Sequence, residues 1–305
     1  TTGASNVAMG RNALLSNTVG YSNVAVGVSS LGANTVGHSN VAVGTSALLS
    51  NTEGLYNVAV GPNSLDANTE GNSNVGIGYA ALGANTEGNQ NVAVGPSAMI
   101  ANISGGYNVA VGALSLDANT TASYNTAVGY GTLTTNTTGI SNVAVGRNSL
   151  LLNTVGYSNV AVGVSSLGAN VGGIKNTALG ASALLLNTSG NTNVAVGYDV
   201  LKANTEGTNN VAMGYNSLAV NTTGDSNVAI GALALDANTT ASDNTAVGYS
   251  ALGANTDGFN NTAVGRDAGG AVTTGDNNSF LGHDAGITGS PGGAITTADN
   301  QMCLG

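Results

Sequence analysis

The stretch Asn-Val-Ala-Val-Gly at residues 23–27 decides the fold of this chain, because it returns every 17 residues from Asn6 to Asn278 without insertion or deletion. Seventeen copies are present in the 305 residues. A short fixed period is the signature of a repeat architecture, in which each unit packs against the next. Numbered from its Asn, the repeat has the consensus N-V-A-V-G-x-x-(S/A)-L-x-A-N-T-x-G-x-(S/N), and positions 1 to 17 below refer to it.

The repeat predicts short β-strands rather than helices. Apolar residues do not recur at helical spacing, and glycines at positions 5 and 15 interrupt nearly every copy. The residues of Val24-Ala25-Val26 alternate in direction as strand residues do. A unit of this kind cannot bury its own apolar face, but stacked copies can. We therefore predict an all-β fold, a parallel β-solenoid (β-roll) with one 17-residue coil per repeat, whose equivalent positions lie about 4.8 Å apart.

Identical residues at equivalent positions then form ladders that run from coil to coil. Leu occupies position 9 in 14 of the first 16 copies, Asn position 12 in 15, and Thr position 13 in 14. The leucines predict a core ladder, and the asparagines predict an amide ladder that hydrogen-bonds between coils as in cross-β structures. The threonines predict hydroxyls that bond between coils. The candidate core and ladder residues of the second copy are Val24, Val26, Leu31, Asn34 and Thr35.

The strand is apolar on both faces, since Val24 and Val26 point one way and Ala25 the other. Strands with two apolar faces are buried on both. One face lines the coil interior, and the sequence leaves open which one. The other face needs a cover, and a second copy of the chain is the simplest one. The pattern therefore predicts self-association along the solenoid.

The repeats divide the chain into a regular part and a short end. Residues 1–288 are predicted to form the 17-residue-repeat solenoid. After Gly282 the next Gly-terminated motif ends 23 residues later, at Gly305, and a Gly-Ser-Pro-Gly-Gly run at 289–293 lies between them. Residues 289–305 are therefore predicted to be an irregular C-terminal cap or the transition to a different domain.

Composition excludes several classes of function. The net charge is −10, from 5 Lys+Arg and 15 Asp+Glu, whereas nucleic-acid binding needs a basic stripe. The sequence contains no run of 18 apolar residues, so it predicts no membrane-spanning helix. His38 and His283 are 14 repeats apart, and Cys303 is the single cysteine. We expect no catalytic constellation, no metal site and no cofactor, and hence no enzyme.

Three surface features remain. Tyr107 with Tyr124, and Tyr198 with Tyr215, occupy equivalent positions of successive coils and are candidate contacts for sugars or proteins. Alternatively, these tyrosines cover coil edges or grooves between copies. Three glutamates at position 14 of successive coils form a charged edge that is either solvated or cation-binding; they are Glu53, Glu70 and Glu87. The threonine ladder suggests an ice-binding face, although it offers one hydroxyl column only.

The unit resembles the head repeat of trimeric autotransporter adhesins, the YadA-like heads, which have a Ser-Val-Ala-Ile-Gly-type strand on a unit about three residues shorter. It is still more similar to phage and giant-virus tail-fibre repeats, through residues 261–265, 278–282 and 298–305. The resemblance covers essentially the whole chain. It implies a left-handed β-roll, a homotrimer, and a place outside the cell, at a cell surface or on a virion.

The leading hypothesis is a non-enzymatic structural and adhesive fibre segment, homotrimeric, that binds a cell-surface glycan or protein receptor. One alternative is a subunit of a self-assembling extracellular filament, since solenoids without polar caps leave open strand edges. The other alternative is an ice-binding β-solenoid that uses the threonine ladder.

Overall fold

A computed structural model of the protein describes residues 3–287 and 293–305. These residues contain eighteen three-residue β-strands and no helix, which confirms the predicted all-β class. They divide into two compact units, the first ending at Val155 and the second beginning at Gly156. The first unit holds β1 (Val7–Met9), β2 (Val24–Val26), β3 (Val41–Val43), β4 (Val58–Val60), β5 (Val75–Ile77), β6 (Val92–Val94), β7 (Val109–Val111), β8 (Thr126–Val128) and β9 (Val143–Val145). The second holds β10 (Val160–Val162), β11 (Thr177–Leu179), β12 (Val194–Val196), β13 (Val211–Met213), β14 (Val228–Ile230), β15 (Thr245–Val247), β16 (Thr262–Val264), β17 (Ser279–Leu281) and β18 (Met302–Leu304).

Within each unit the strands form a parallel ladder in register with the repeat. Val24 pairs with Val41 and Ala25 with Ala42 in the first unit, and the same 17-residue offset joins β10 to β11 in the second. Each coil contributes one strand, and turns make up the rest of it. The predicted parallel β-solenoid with 17-residue coils is therefore confirmed.

The alanine face of the strand points into the coil. Ala25 is fully buried, whereas Val24 and Val26 are only half-buried on the outward face. The interior is tightly filled around position 3, because a Cβ at Gly76 would lie 2.6 Å from Ser64 Oγ and 3.3 Å from Leu65 Cδ1. Val24 and Val26 therefore form ladders as predicted, but these ladders lie outside the core, and position 3 supplies the core residue instead.

Three residues per coil bend the chain by adopting left-handed backbone conformations at positions 7, 9 and 17. They are rarely glycine: Ser29, Leu31 and Ser39 have φ of 58°, 48° and 58°. This conformation costs an ordinary residue about 1–2 kcal/mol, and full burial of the Leu31 side chain offsets that cost. Gly27 at position 5 is different, because its φ is 140° and a Cβ there would lie 2.6 Å from the Gly44 carbonyl carbon.

Two asparagine ladders close each coil. Asn34 is fully buried, and its Nδ2 donates to Asn17 Oδ1 at 2.7 Å and to the Gly37 carbonyl at 3.0 Å. This confirms the predicted coil-to-coil amide ladder. A second buried ladder runs through position 1, where Asn23 Nδ2 donates to the same Gly37 carbonyl at 2.9 Å. Side-chain amides thus satisfy buried backbone groups that the short strands leave unpaired.

The threonine ladder also bonds between coils, as predicted. Thr35 is half-buried, and its Oγ1 donates to the Thr52 carbonyl at 3.0 Å. The same carbonyl accepts the backbone N–H groups of Thr35, Val36 and Gly37 at 3.1–3.2 Å. The hydroxyls of position 13 therefore serve as structural donors within the coil stack.

The segment after residue 292 adds one more strand to the second unit. β18 pairs in parallel with β17 at a 23-residue offset, and Cys303 lies opposite Phe280. Gln301 N–H donates to Asn278 Oδ1 at 2.8 Å, which continues the position-1 ladder. The predicted boundary between residues 288 and 289 falls at 288–292, outside the described residues, but the described part of the predicted cap follows the coil pattern.

Phe280 changes how one coil is filled. It is buried at position 3, where other coils have Ala or Gly. Position 9 is Gly in its own coil and in the coil before it, and a Cβ at Gly269 would lie 2.8 Å from Phe280 Cδ2. A Cβ at Gly286 would also contact the ring. The ring occupies the space that leucine side chains fill elsewhere.

Candidate functional site

The 17-residue period brings aromatic rings into vertical pairs. The Tyr107 and Tyr124 rings are stacked, with centroids 5.1 Å apart and planes 11° apart. The Tyr198 and Tyr215 rings are stacked at 6.0 Å and 7°. All four side chains are more than half exposed. The structure therefore joins each predicted pair and leaves it accessible.

A third aromatic column was not predicted from the sequence. His38 stacks on Tyr21 with ring centroids 4.4 Å apart, and meets the edge of Tyr56 at 5.3 Å. Tyr21 and His38 share position 16 of successive coils, so the period itself contained the signal. A comparison of tyrosine positions alone does not show this column, because its middle residue is a histidine.

The Tyr107–Tyr124 pair borders a groove of about 350 Å³. The missing side chain of Gly106 leaves the space, and polar residues of positions 14, 16 and 17 surround it. The groove is lined by Asn72, Asn89, Gln90, Ser104, Gly106, Tyr107, Ser123 and Tyr124. It combines an aromatic platform with amide and hydroxyl groups, which is the composition of a small polar-ligand site.

In several coils a polar side chain at position 16 caps the coil before it. Asn89 Oδ1 accepts the Asn72 N–H at 2.8 Å, and Ser123 Oγ accepts the Gly106 N–H at 3.0 Å. Gly106 has no side chain with which to accept the Asn89 N–H. Within the described residues that N–H has no hydrogen-bond partner. Gly106 is the only glycine at position 16 from Ala4 to Asp276, so the groove holds an open backbone donor.

The surroundings of the groove are acidic. Asn72 Nδ2 donates to the Glu70 carbonyl, and Asn89 Nδ2 donates to the Glu87 carbonyl, both at 2.8 Å. Both acceptors are backbone carbonyls of position 14, where the side chains of Glu70 and Glu87 are the nearest charged groups along the chain. The groove lining contains no Lys, Arg or His, so it has no cation with which to hold an anionic ligand.

A second polar cluster lies near the end of the second unit. One ligand atom from each of Asp267, His283 and Asp284 lies within 4.8 Å of the others. His283 Nδ1 is 3.1 Å from Asp284 Oδ2, and Arg266 Nε is 3.0 Å from Asp267 Oδ2. Imidazole and carboxylate suit divalent transition metals, but all three groups are at least partly exposed and Arg266 already pairs with one carboxylate. The cluster was not predicted; its signal in the sequence is that the three residues occupy positions 6 and 7 of successive repeats.

Three aspartates share position 10 and are partly withdrawn from water. Burial raises the pKa of each carboxyl, although backbone hydrogen bonds act in the opposite direction. Asp117 Oδ1 is buried and has no hydrogen-bond partner in the described part of the chain. The residues are Asp66, Asp117 and Asp236.

Comparison of the chain with protein-family models, with curated proteins and with solved structures found no match. The repeat architecture rests on the structure, and the resemblance to adhesin heads and tail fibres remains one of motif and coil type. None of the described residues forms a helix long and apolar enough to cross a lipid bilayer.

Proposed function

We propose that this protein is a non-enzymatic structural and adhesive fibre segment that works as a homotrimer at a cell surface or on a virion. The observation that carries the proposal is the outward face of the strands. Alanine fills the coil interior, so positions 2 and 4 form two columns on the surface of each unit, of which position 4 is apolar in every repeat and position 2 is mostly valine.

The apolar columns are only partly covered by their own coils. Val43, Val60 and Val111 are 36–37% exposed although they lie in an ordered parallel ladder. Fully burying a valine side chain is worth about 1.5–3 kcal/mol, so covering the remaining third yields about 0.5–1 kcal/mol per residue. Repeated along nine strands in each unit, this favours cover by other copies, whose equivalent columns have the same spacing.

The adhesive part of the proposal is supported by the exposed tyrosine pairs, which offer flat aromatic platforms for glycans. Ice binding through position 13 is less well supported. Each Thr hydroxyl such as that of Thr35 already donates to the next coil, and the side chain is half-buried. Filament formation is an outcome of the experiment below.

The test is the particle mass by light scattering across a dilution series. The parent is expected to keep the mass of three chains. A variant with Lys at three outward strand positions, Val43→Lys/Val60→Lys/Val111→Lys, should fall to one chain, because desolvating three ammonium groups opposes association.

A matched control adds the same charge at position 14, which lies outside the strand. Three valines of the first unit occupy this position and are more exposed than the three strand valines, so the control variant is Val19→Lys/Val36→Lys/Val155→Lys. It should stay trimeric, and far-UV circular dichroism should show both variants folded. A parent that is monomeric at every concentration overturns the proposal. A parent mass that grows with concentration replaces the trimer by the filament.

A further inference from the structure

We propose that the groove at Gly106 is a binding site for a neutral saccharide, with Tyr107 as the stacking platform and the Asn89 N–H as donor to a sugar oxygen. This inference rests on the proposed adhesive function and deepens it by locating one ligand site and narrowing its chemistry. Three observations support it: the ring stack, the open donor and the local charge.

The stacked Tyr107 and Tyr124 rings both line the groove. The 5.1 Å between the Tyr107 and Tyr124 centroids is close to the spacing of neighbouring strands, about 4.8 Å. The rings therefore stack in the direction in which the coils succeed one another, and Tyr124 covers the far face of Tyr107. The other face of Tyr107 looks toward the previous coil, where the exposed Gln90 occupies the equivalent position and also lines the groove. A pyranose ring presents a C–H face of similar size to such a platform.

The Tyr107 platform is supported by its backbone conformation and by the stacked Tyr124 ring. The Tyr107 backbone has φ of 61°, and its N–H donates to the Asn89 carbonyl at 3.0 Å. Tyr124 has the same conformation, with φ of 63°. A side chain held by a repeated turn and a stacked neighbour loses little conformational entropy on binding.

The open donor gives the groove its polar specificity. The Asn89 N–H lies below Gly106, and a Cβ at Gly106 would sit 3.1 Å from the Asn89 carbonyl oxygen and 3.8 Å from its nitrogen. A side chain at this position would narrow the approach of a ligand oxygen to this N–H. Gln90 and Ser104 add an exposed amide and an exposed hydroxyl at the rim. Hydroxyl-rich ligands satisfy such mixed donors and acceptors.

The charge around the groove selects against acidic sugars. Glu70 and Glu87 flank Asn72 and Asn89, and the whole chain carries a net charge of −10. No cationic side chain lines the groove. A carboxylate or sulfate would meet like charge and find no ion-pair partner. The ligand class is therefore a neutral saccharide.

The Tyr198–Tyr215 pair provides a natural control. Its rings are stacked and exposed like those of Tyr107 and Tyr124. The residue after Tyr198 is Asp199, which forms an ion pair with Lys202 at 2.9 Å. Neither Tyr198 nor Tyr215 lines the groove at Gly106. Tyr198→Ala thus removes an equivalent ring from outside the site.

The test measures binding of four neutral probes, lactose, maltotriose, cellotriose and chitotriose, and one acidic match, 3′-sialyllactose, by saturation-transfer NMR and titration on the full chain. At least one neutral probe should bind the parent. Gly106→Ser should weaken it by about tenfold or more, because the new hydroxyl caps the Asn89 N–H as Ser123 caps Gly106. Tyr107→Ala should do the same, while Tyr198→Ala should bind like the parent.

Failure of all four neutral probes, stronger binding of 3′-sialyllactose than of lactose, or equal losses in Tyr107→Ala and Tyr198→Ala would overturn the site. The light-scattering result separates this inference from the fibre proposal. A trimer that binds no probe refutes the saccharide site alone. A monomer that binds a neutral probe through Tyr107 refutes the trimer and leaves the site in place.

Discussion

The Phe280 ring fills the space that leucine side chains at position 9 fill in other coils, and this substitution of one side chain for another leads to a quantitative prediction. Phe280→Ala removes a fully enclosed ring from between Gly269 and Gly286, where neither glycine can fill the space. Truncation of a buried Phe to Ala costs about 3–5 kcal/mol. Gly269→Leu alone should also destabilise, by about 1–3 kcal/mol or more, because its Cβ would lie 2.8 Å from the ring.

The double variant Phe280→Ala/Gly269→Leu should recover most of both losses. It restores the Ala and Leu pair that fills ordinary coils, and leucines at position 9 already adopt φ of 48–55°, close to the 63° of Gly269. We expect the double variant to lie within about 2 kcal/mol of the parent, so the coupling energy should be at least about 2 kcal/mol, in the upper part of the usual 0.5–3 kcal/mol for contacting residues or above it. Phe280→Ala/Gly270→Leu is the matched control, because Leu at the neighbouring position should not fill the gap.

The assay should be local, because long repeat arrays do not unfold in one cooperative step. Hydrogen exchange of the Gly282 N–H, which donates to the Val264 carbonyl at 2.9 Å, reports opening between β16 and β17. The free energy of opening should fall in each single variant and return in the double variant. Additive losses in the double variant, or equal recovery with Gly270→Leu, would refute the idea that the ring replaces leucine volume.

Three further outcomes follow from the coil geometry. Leu114→Asn should stabilise the protein by about 0.5–1 kcal/mol, because Asn tolerates the φ of 56° at this position better than Leu does. Leu152→Asn is the control, since Leu152 is also exposed but has no positive φ, and it should not stabilise. Equal midpoints of urea unfolding for the two variants would contradict the prediction. Asn85→Ala should cost about 2–4 kcal/mol in local hydrogen exchange, because it removes donors to Asn68 and Gly88 and leaves Asn102 one acceptor short; a loss below about 0.5 kcal/mol would argue against the amide ladder. Burial raises the pKa of the position-10 carboxyls above the unfolded value of 3.8, so the folded state binds more protons than the unfolded state. Stability therefore falls as the pH rises from the unfolded pKa through the raised folded pKa. Replacing all three by Asn should raise the thermal midpoint at pH 7 and flatten its change on acidification, and an unchanged midpoint would contradict the burial effect; the residues are Asp66, Asp117 and Asp236.

The period alone predicted the coil, the strand and the ladders of Leu31 and Asn34, because a strict repeat forces equivalent residues to lie above one another. It did not show which strand face is interior. Val24 and Ala25 are both apolar, and the choice depends on the width of the coil, where Ser64 and Leu65 pack closely around position 3. Side-chain volume across the coil, which a pattern of polar and apolar letters does not contain, decides the matter.

The turns were hidden for a different reason. Leu31 adopts a left-handed backbone conformation that local propensity disfavours, so propensity predicts the wrong turn geometry at a position that burial dictates. The groove was hidden because its defining residue, Gly106, was indistinguishable from the many other glycines in the sequence. Only the hydrogen bonds of position 16 show that this glycine leaves an N–H open.

The side-chain ladders also have a consequence for how such a chain changes over generations. Each amide bonds to the residue 17 positions away, as Asn34 does to Asn17 and Asn51. After duplication or deletion of whole repeats, every side-chain amide therefore still meets an asparagine at the equivalent position. Deletion of a single residue would instead shift both asparagine ladders out of register. The segment Asp117–Ser123 recurs as Asp236–Ser242, seven repeats later, as expected if recombination copies blocks of coils. The number of coils can therefore change by whole repeats from one generation to the next, while the packing of the interior stays the same.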